Sequence, residues 1–305
     1  MEEVRMRVAI ENELVKVEIE SFGAELKSLV KKENNQEYMW EADPAYWCKT
    51  SPNLFPFIGK LVDCTYRYNG ESYVMDKHGF VKDMEFTVAE KQADKVVFAV
   101  ESNEETMKKY PFAFRFEVEY SLDGTTLLQQ SRVINKSEET MYFCLGGHPG
   151  FAAPLIKDGA RSGKRTDCFL KLYGVDGKEE LKIEEVDLSA GMLSGKSLTL
   201  KVKDGVFPIV DGIFDGDALI FASQGVTGVA LLDAEGKEYV RMDAPTCPVW
   251  GIWSMPTSDA PYVCFEPWWG VCDTVGFAGS LQERAYMNQA AAGETWTESF
   301  RIVIA

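Results

Sequence analysis

Histidine is scarce in this chain: only two histidines, His78 and His148, occur among 305 residues. Because neither lies in a cluster of cysteines or carboxylates, they match no metal-ligand spacing, and no metal site is expected. The chain also lacks a Walker loop and a G-x-G-x-x-G turn, so no nucleotide cofactor is expected. The G-x-S-x-G motif that carries the nucleophile of many serine hydrolases is absent as well.

Cationic residues and long apolar runs are also few. The 32 lysines and arginines against 48 aspartates and glutamates give a net charge of −16, which argues against nucleic acid or an anionic membrane as a partner. No stretch approaches the ~20 apolar residues of a membrane span, and the polar start, residues 1–6, has no signal-peptide core. The seven cysteines form no C-x-x-C pair and are expected to be reduced thiols, so the chain is expected to be cytoplasmic.

The dominant hydrophobic period is two residues, which is typical of half-buried strands. Residues 114–120 and 15–20 alternate apolar and charged side chains without a slip, and residues 300–304 begin with the same alternation and also indicate a strand. Asn69-Gly70, Asp123-Gly124 and Glu235-Gly236 predict hairpin turns, whereas short helical patterns occur only at 103–109 and 281–287. The pattern predicts an all-β sandwich or barrel, and the lack of any linker favours one domain over residues 1–305.

His148 is the strongest candidate for chemistry. It follows the apolar run 142–145 within Gly146-Gly147-His148-Pro149-Gly150, where the glycines let other groups approach closely. Imidazole is the side chain best suited to proton transfer near neutral pH. The alternative is a turn histidine bonded to backbone. For His78, in Lys77-His78-Gly79, a structural loop role and a role in binding a sugar hydroxyl both remain open.

Glu266 is the candidate partner. It ends the apolar run 262–265 and precedes Pro267-Trp268-Trp269-Gly270, which indicates a carboxylate at a strand end in a partly dry place. Burial raises a carboxylate pKa and makes it a better base. A salt-bridged glutamate is the alternative. Of the two tryptophans, one is expected to form part of the cleft and the other to pack beneath it.

Four segments in order resemble the aldose 1-epimerase (galactose mutarotase-like) family, in the bacterial branch often found with lactose-utilisation genes. They are Ser51-Pro52-Asn53-Leu54-Phe55-Pro56-Phe57-Ile58-Gly59-Lys60-Leu61, His78-Gly79-Phe80, Gly147-His148-Pro149-Gly150-Phe151 and Glu266-Pro267-Trp268-Trp269-Gly270. The resemblance implies a galactose mutarotase-like β-sandwich (supersandwich) with a cleft on one sheet. It also implies an isomerase that interconverts the α and β anomers of a free sugar without a cofactor.

The resemblance also implies roles for single residues. His148 matches the family's general acid, Glu266 its general base and His78 its second, sugar-contacting histidine. Lys60 stands where the family commonly has arginine; it is expected to bind a sugar hydroxyl, although lysine lacks the planar fork of arginine. A sugar-binding aspartate is expected at Asp211, Asp215 or Asp217, with a slight preference for Asp215, and Trp268 is expected to contact the sugar.

Three expectations follow for the reaction. His148 and Glu266 should converge within roughly 10 Å, on opposite sides of the anomeric carbon, by analogy with paired glycosidase carboxylates. With a histidine pKa of about 6.5, activity should be bell-shaped around neutrality. The substrate should be an uncharged small-molecule sugar, and the protein a monomer or homodimer. The rivals are a sugar-binding module without catalysis, a glycoside hydrolase or lyase, which requires a second carboxylate, and a hexose-6-phosphate 1-epimerase, which requires an arginine cluster at the cleft.

Overall fold

The computed structural model describes residues 6–157, 160–161, 163–256 and 260–305. Residues 1–5, which carry most of the polar start noted above, lie outside the described residues. The first half of the chain contains, in order, β1 Arg7–Glu11, β2 Val15–Glu20, β3 Glu25–Lys31, β4 Gln36–Glu37, β5 Asn53–Leu54, β6 Thr65–Tyr68, β7 Glu71–Val74, β8 Thr87–Lys91, β9 Lys95–Glu101, α1 Glu104–Lys109, β10 Phe114–Asp123, β11 Thr126–Asn135, β12 Met141–Phe143, β13 Leu145–Gly147 and β14 Gly150–Ala152.

The second half continues the β pattern. It contains β15 Ile156–Lys157, β16 Ala160–Arg161, β17 Phe169–Tyr173, β18 Glu180–Asp187, β19 Met192–Lys201, β20 Val206–Pro208, β21 Leu219–Ala222, β22 Gly228–Leu232, β23 Glu238–Asp243, β24 Val249–Trp253, β25 Tyr262–Trp269, β26 Asn288–Ala290 and β27 Thr295–Ile304. Short 3₁₀ turns lie at Val62–Cys64, Val81–Asp83, Arg165–Asp167 and Leu281–Glu283. No helix in the described ranges is long and apolar enough to cross a membrane.

Two large antiparallel sheets form the body of the fold. The first has nine strands in the order β20-β17-β22-β23-β27-β11-β10-β9-β8. The second has eight, in the order β19-β18-β21-β24-β25-β13-β5, with β14 also paired to β25. Aromatic side chains pack between the two sheets: Phe55, the residue directly after β5, stacks on Phe116 of β10, with ring centroids 5.1 Å apart. The predicted all-β sandwich with few, short helices is therefore confirmed.

The predicted turns and strands are largely confirmed. Each of the three predicted hairpins joins paired strands: β6 with β7, β10 with β11, and β22 with β23. The predicted helix at 103–109 is α1, where the Asn103 side chain caps the first turn by accepting from the backbone N–H groups of Glu105 and Thr106.

Two predictions about local structure were wrong. The pattern at 281–287 forms only the 3₁₀ turn Leu281–Glu283, because the backbone becomes extended at Arg284, with φ of −67° and ψ of 145°. The Arg284 side chain forms a buried ion pair with Asp273. Glu266 does not end a strand: β25 runs on to Trp269. The strand tolerates Pro267 because β14 pairs with residues 262–264 and β13 with residues 268–269, so the missing N–H falls in the gap between those two partners.

Candidate active site

A cleft of about 270 Å³ opens on the face of the eight-stranded sheet that is turned away from the nine-stranded sheet. This volume lies near the lower end of ligand sites, roughly 300–1,000 Å³, so it suits a small molecule. The residues that line it include Trp47, Lys49, Leu54, Gly59, Lys77, His78, Lys82, His148, Gly191, Asp217, Trp253, Glu266, Trp268 and Cys272.

His148 and Glu266 are in direct contact in this cleft. The imidazole Nε2 lies 3.1 Å from a carboxylate oxygen of Glu266, and both side chains are buried. The register of the sheet causes the contact. Gly146 pairs with Trp268 and Gly150 with Cys264, so the unpaired residue midway between β13 and β14, His148, lies opposite Glu266. The two side chains therefore converge within the predicted distance of roughly 10 Å and lie side by side.

Burial shifts the two groups toward their neutral forms. It raises the pKa of Glu266 well above its ordinary value of 4.5, and the charge of Asp217 raises it further, whereas Lys77 and the indole of Trp268 oppose the shift. Burial lowers the pKa of His148 from its ordinary 6.5 to about 3. The pair therefore holds one proton between its two members over a wide pH range, which corrects the expectation of an unperturbed histidine.

Aromatic rings hold the His148 imidazole in place. Trp47 lies over it with ring centroids 4.9 Å apart, and Trp253 meets it edge-on at 5.7 Å. Among the residues that the structure describes, Nδ1 of His148 has no hydrogen-bond partner. The ring orientation is therefore set by packing and by the contact with Glu266.

His78 approaches the same place from a loop, with its ring 5.8 Å from that of His148. Its Nδ1 accepts a hydrogen bond from the backbone N–H of Gly59 at 3.1 Å, and its backbone N–H donates to the Gly59 carbonyl. Burial, followed by the charges of His148 and Lys77, lowers the pKa of His78 well below 6.5. A neutral ring that accepts at Nδ1 must carry its proton on Nε2, so His78 presents an N–H donor.

Glycine is required beside His78. Gly79 has φ of +69°, and a Cβ there would lie 2.1 Å from the carbonyl oxygen of Phe55. His78 itself has φ of +66°, a conformation that is costly for a non-glycine residue and that the reciprocal bonds to Gly59 hold. The His-Gly sequence therefore allows this loop to pass against β5 and to point the imidazole at the cleft.

The two tryptophans after Glu266 divide as strand alternation requires. Trp268 shares a face with Glu266 and lines the cleft, whereas Trp269 packs into the core against Trp296 of the nine-stranded sheet. The buried indole N–H of Trp268 has no acceptor in hydrogen-bond geometry among the described residues. It lies near enough to Glu266, however, to favour the charged carboxylate.

Two predicted binding residues do not line the cleft. Lys60 lies beside Gly191 at its rim, with its side-chain Cδ 3.5 Å from where a Gly191 Cβ would be. Asp215 is exposed, and Asp217, another of the three candidates, lines the cleft instead. Asp217 has φ of +75° and lies directly before the buried residue Ala218. Its place in the lining makes it a better candidate than Asp215 for the binding aspartate.

Several cleft residues were missed from the sequence. Trp47 and Trp253 form the aromatic wall around His148, and Lys49, Lys77 and Lys82 bring positive charge to the cleft. Lys77 directly precedes His78, so the motif around His78 could have indicated it as a cleft residue. No signal marked the tryptophans, since neither lies in a recognised motif. Within the described ranges, no group of three or more histidine, cysteine, aspartate or glutamate side chains is arranged to hold a metal ion.

Known proteins resemble the chain over nearly its whole length. A sequence profile of the family described as aldose 1-epimerase matches residues 6–267. A relative described as plasmid protein LacX, from Lactococcus lactis subsp. lactis, is 28% identical over 98% of this chain and 99% of its own.

Two solved bacterial structures are similar throughout. One is described as a galactose mutarotase related enzyme from Lactobacillus acidophilus; it is 32% identical, has a TM-score of 0.89 and covers 98% of this chain and 97% of its own. The other, described as a galactose mutarotase-like protein from Lactobacillus casei, is 28% identical with the same TM-score and covers 98% of this chain and 100% of its own. The resemblance found in the four sequence segments is confirmed, and the chain belongs to the aldose 1-epimerase family.

Proposed function

We propose that this protein is an aldose 1-epimerase that interconverts the α and β anomers of an aldose. The observation that carries the proposal is the buried His148–Glu266 contact, 3.1 Å long, on the floor of a small cleft. A catalytic base and acid must lie within hydrogen-bond reach of the atoms whose protons they move. The exocyclic O1 and the ring oxygen are both bonded to the anomeric carbon, so two adjacent groups can address them together.

The chemistry balances with one proton held by the pair. When the shared proton lies on His148, Glu266 as carboxylate takes the proton of the O1 hydroxyl, while His148 as imidazolium gives its proton to the ring oxygen. The bond from the anomeric carbon to the ring oxygen breaks, and the bond to O1 becomes a carbonyl. After rotation about the C1–C2 bond, closure on the other carbonyl face reverses both transfers. The pair ends with the one proton with which it began.

The remaining groups of the cleft suit binding and orientation. The Nε2–H of neutral His78 can donate to a sugar hydroxyl, and Asp217 can accept from one. Trp47 and Trp268 offer apolar faces to the C–H surface of a pyranose. His78 is held by backbone bonds to Gly59, so it is already oriented before a sugar arrives.

Anomeric exchange is the direct test. Freshly dissolved α-glucose and α-galactose should reach equilibrium faster with the protein than without it, followed by optical rotation or by exchange between the anomeric proton resonances. The matched control is protein carrying Glu266→Gln, which keeps the size and hydrogen-bonding capacity of the side chain but cannot take up the proton. Sugar binding without acceleration would instead identify a carbohydrate-binding module. If the protein neither binds any aldose tested nor accelerates its anomeric exchange, the proposal fails.

A further inference from the structure

The charge of the cleft differs in sign from that of the whole chain. The net charge of −16 belongs to the entire surface, and at physiological ionic strength charges are largely screened beyond about 8 Å. Three lysines, Lys49, Lys77 and Lys82, line the cleft. The acidic side chains that line it are Asp217 and Glu266, and burial favours the neutral form of Glu266. A ligand in the cleft therefore meets a local excess of positive charge.

Two of these lysines already have partners. Lys82 donates to the carbonyl of Gly79 at 2.9 Å and pairs with Asp83 at 2.6 Å. Lys49 lies 3.7 Å from the other carboxylate oxygen of Asp83. Asp83 thus neutralises part of the charge that these two ammonium groups bring. Their side chains are less free to turn toward a ligand.

Lys77 differs from both. Among the residues that the structure describes, it has no carboxylate within ion-pair distance and no hydrogen bond from its ammonium group. Its charge nevertheless acts on the interior of the cleft, since it contributes to lowering the pKa of His78, His148 and Glu266. A lysine that lines the cleft and has no partner among the described residues can add a charge-assisted hydrogen bond to a ligand anion.

We infer that the cleft takes an aldose carrying an anionic substituent, a phosphate or carboxylate remote from the anomeric carbon, and that Lys77 binds this group. The inference rests on the proposed epimerase function and names its substrate class. It departs from the expectation of an uncharged sugar, for which the net charge of the chain was one of the grounds. Lysine serves as a point donor to phosphate without requiring the bidentate geometry of arginine.

Steady-state anomeric exchange with three matched substrates tests the inference: glucose, glucose 6-phosphate and glucuronate. We expect kcat/KM for at least one anionic sugar to exceed that for glucose by about tenfold or more, the size of one charge-assisted hydrogen bond. The phosphate and the carboxylate extend to different lengths from the ring. The sugar with the higher kcat/KM therefore identifies which anionic group the cleft accepts. Raising the salt concentration should reduce the preference.

Variants separate the effect of Lys77 on substrate preference from the effect of the overall charge of the protein. Lys77→Ala should reduce the ratio of kcat/KM for the anionic sugar to that for glucose by about tenfold, and Lys77→Glu by more. Lys91→Ala, at the edge strand β8 of the other sheet, is the matched control and should leave that ratio unchanged. Because Lys77 is exposed, its removal is not expected to affect folding.

The outcomes distinguish the two proposals. Acceleration of glucose exchange with no preference for either anionic sugar overturns the inference and leaves the epimerase intact. A preference that survives Lys77→Ala overturns the role of Lys77. If the protein accelerates the anomeric exchange of no sugar, the epimerase proposal fails. Calorimetry with glucose 6-phosphate, glucose and inorganic phosphate then still tests the anionic site. Equal affinity for all three ligands overturns the inference.

Discussion

Replacement of Glu266 by glutamine should lower activity and raise stability. The buried carboxyl is proposed to act as the catalytic base, and burying an ionisable group lowers the free energy of unfolding near neutral pH. The side chain is 2% exposed and touches His148 Nε2 at 3.1 Å. Glu266→Gln keeps this packing but removes the group that accepts the O1 proton. We expect kcat to fall by ~10²–10⁴, the range for loss of a general base, which corresponds to about 3–5 kcal/mol of transition-state stabilisation.

The same substitution should stabilise the fold near neutral pH. Burial raises the pKa of Glu266 well above 4.5, so above that pH the unfolded chain ionises freely while the folded chain must keep the proton or bury the charge. The penalty is absent below pH 4.5 and grows as the pH rises toward the folded-state pKa. It amounts to about 1.4 kcal/mol for every tenfold difference between the acid dissociation constants of the folded and unfolded states. Glutamine cannot ionise and escapes the penalty.

Thermal unfolding and anomeric exchange, measured on the same samples, give the change in stability and the change in kcat. The Tm advantage of Glu266→Gln over the natural protein should be present near pH 7.5 and vanish near about pH 4. Glu13→Gln, an exposed glutamate in the turn between β1 and β2, is the matched control and should change stability by less than about 0.5 kcal/mol and kcat not at all. A Glu266→Gln protein with kcat within threefold of the natural one would refute the reasoning about the base.

Three further predictions concern the neighbouring groups. Since burial lowers the pKa of His148 to about 3, the acid limb of the kcat/KM profile should lie well below pH 6.5; a midpoint near 6.5 would contradict this. His78→Ala should raise KM at least as clearly as it lowers kcat, whereas Lys60→Arg at the rim should retain activity; loss of kcat alone in His78→Ala would place His78 in the chemistry. Asp217→Asn should raise KM several-fold and Asp215→Asn should not, and the reverse result would restore Asp215 as the binding aspartate.

Much of the fold follows from patterns within short windows of sequence. Alternation over residues 114–120 predicted a half-buried strand, and the Asp123-Gly124 turn predicted its partner, because both signals arise from residues adjacent in the chain. The family segments likewise carried His78, His148, Glu266 and Trp268, which all line the cleft. Local chemistry and motif order were sufficient for these.

Features that depend on distant pairing could not be predicted in this way. The contact between His148 and Glu266 depends on the register between β25 and the two short strands β13 and β14, more than a hundred residues earlier. A one-residue slip would place the two side chains on opposite faces. The sequence likewise could not show which aspartate lines the cleft. That depends on whether the loop before β21 turns Asp215 or Asp217 inward.

The interruption of the sheet is itself what assembles the site. A continuous partner for β25 would fill the position opposite Glu266 with another ladder residue. Instead β13 ends at Gly147, the chain passes through His148-Pro149, and β14 resumes at Gly150 on the same register. The ladder does not open fully, because the Phe265 N–H still donates to the Pro149 carbonyl at 2.9 Å. Strands on both sides of the gap therefore fix the two side chains, and the proposed catalytic pair, held by a sheet, keeps its geometry better than a pair carried on loops would.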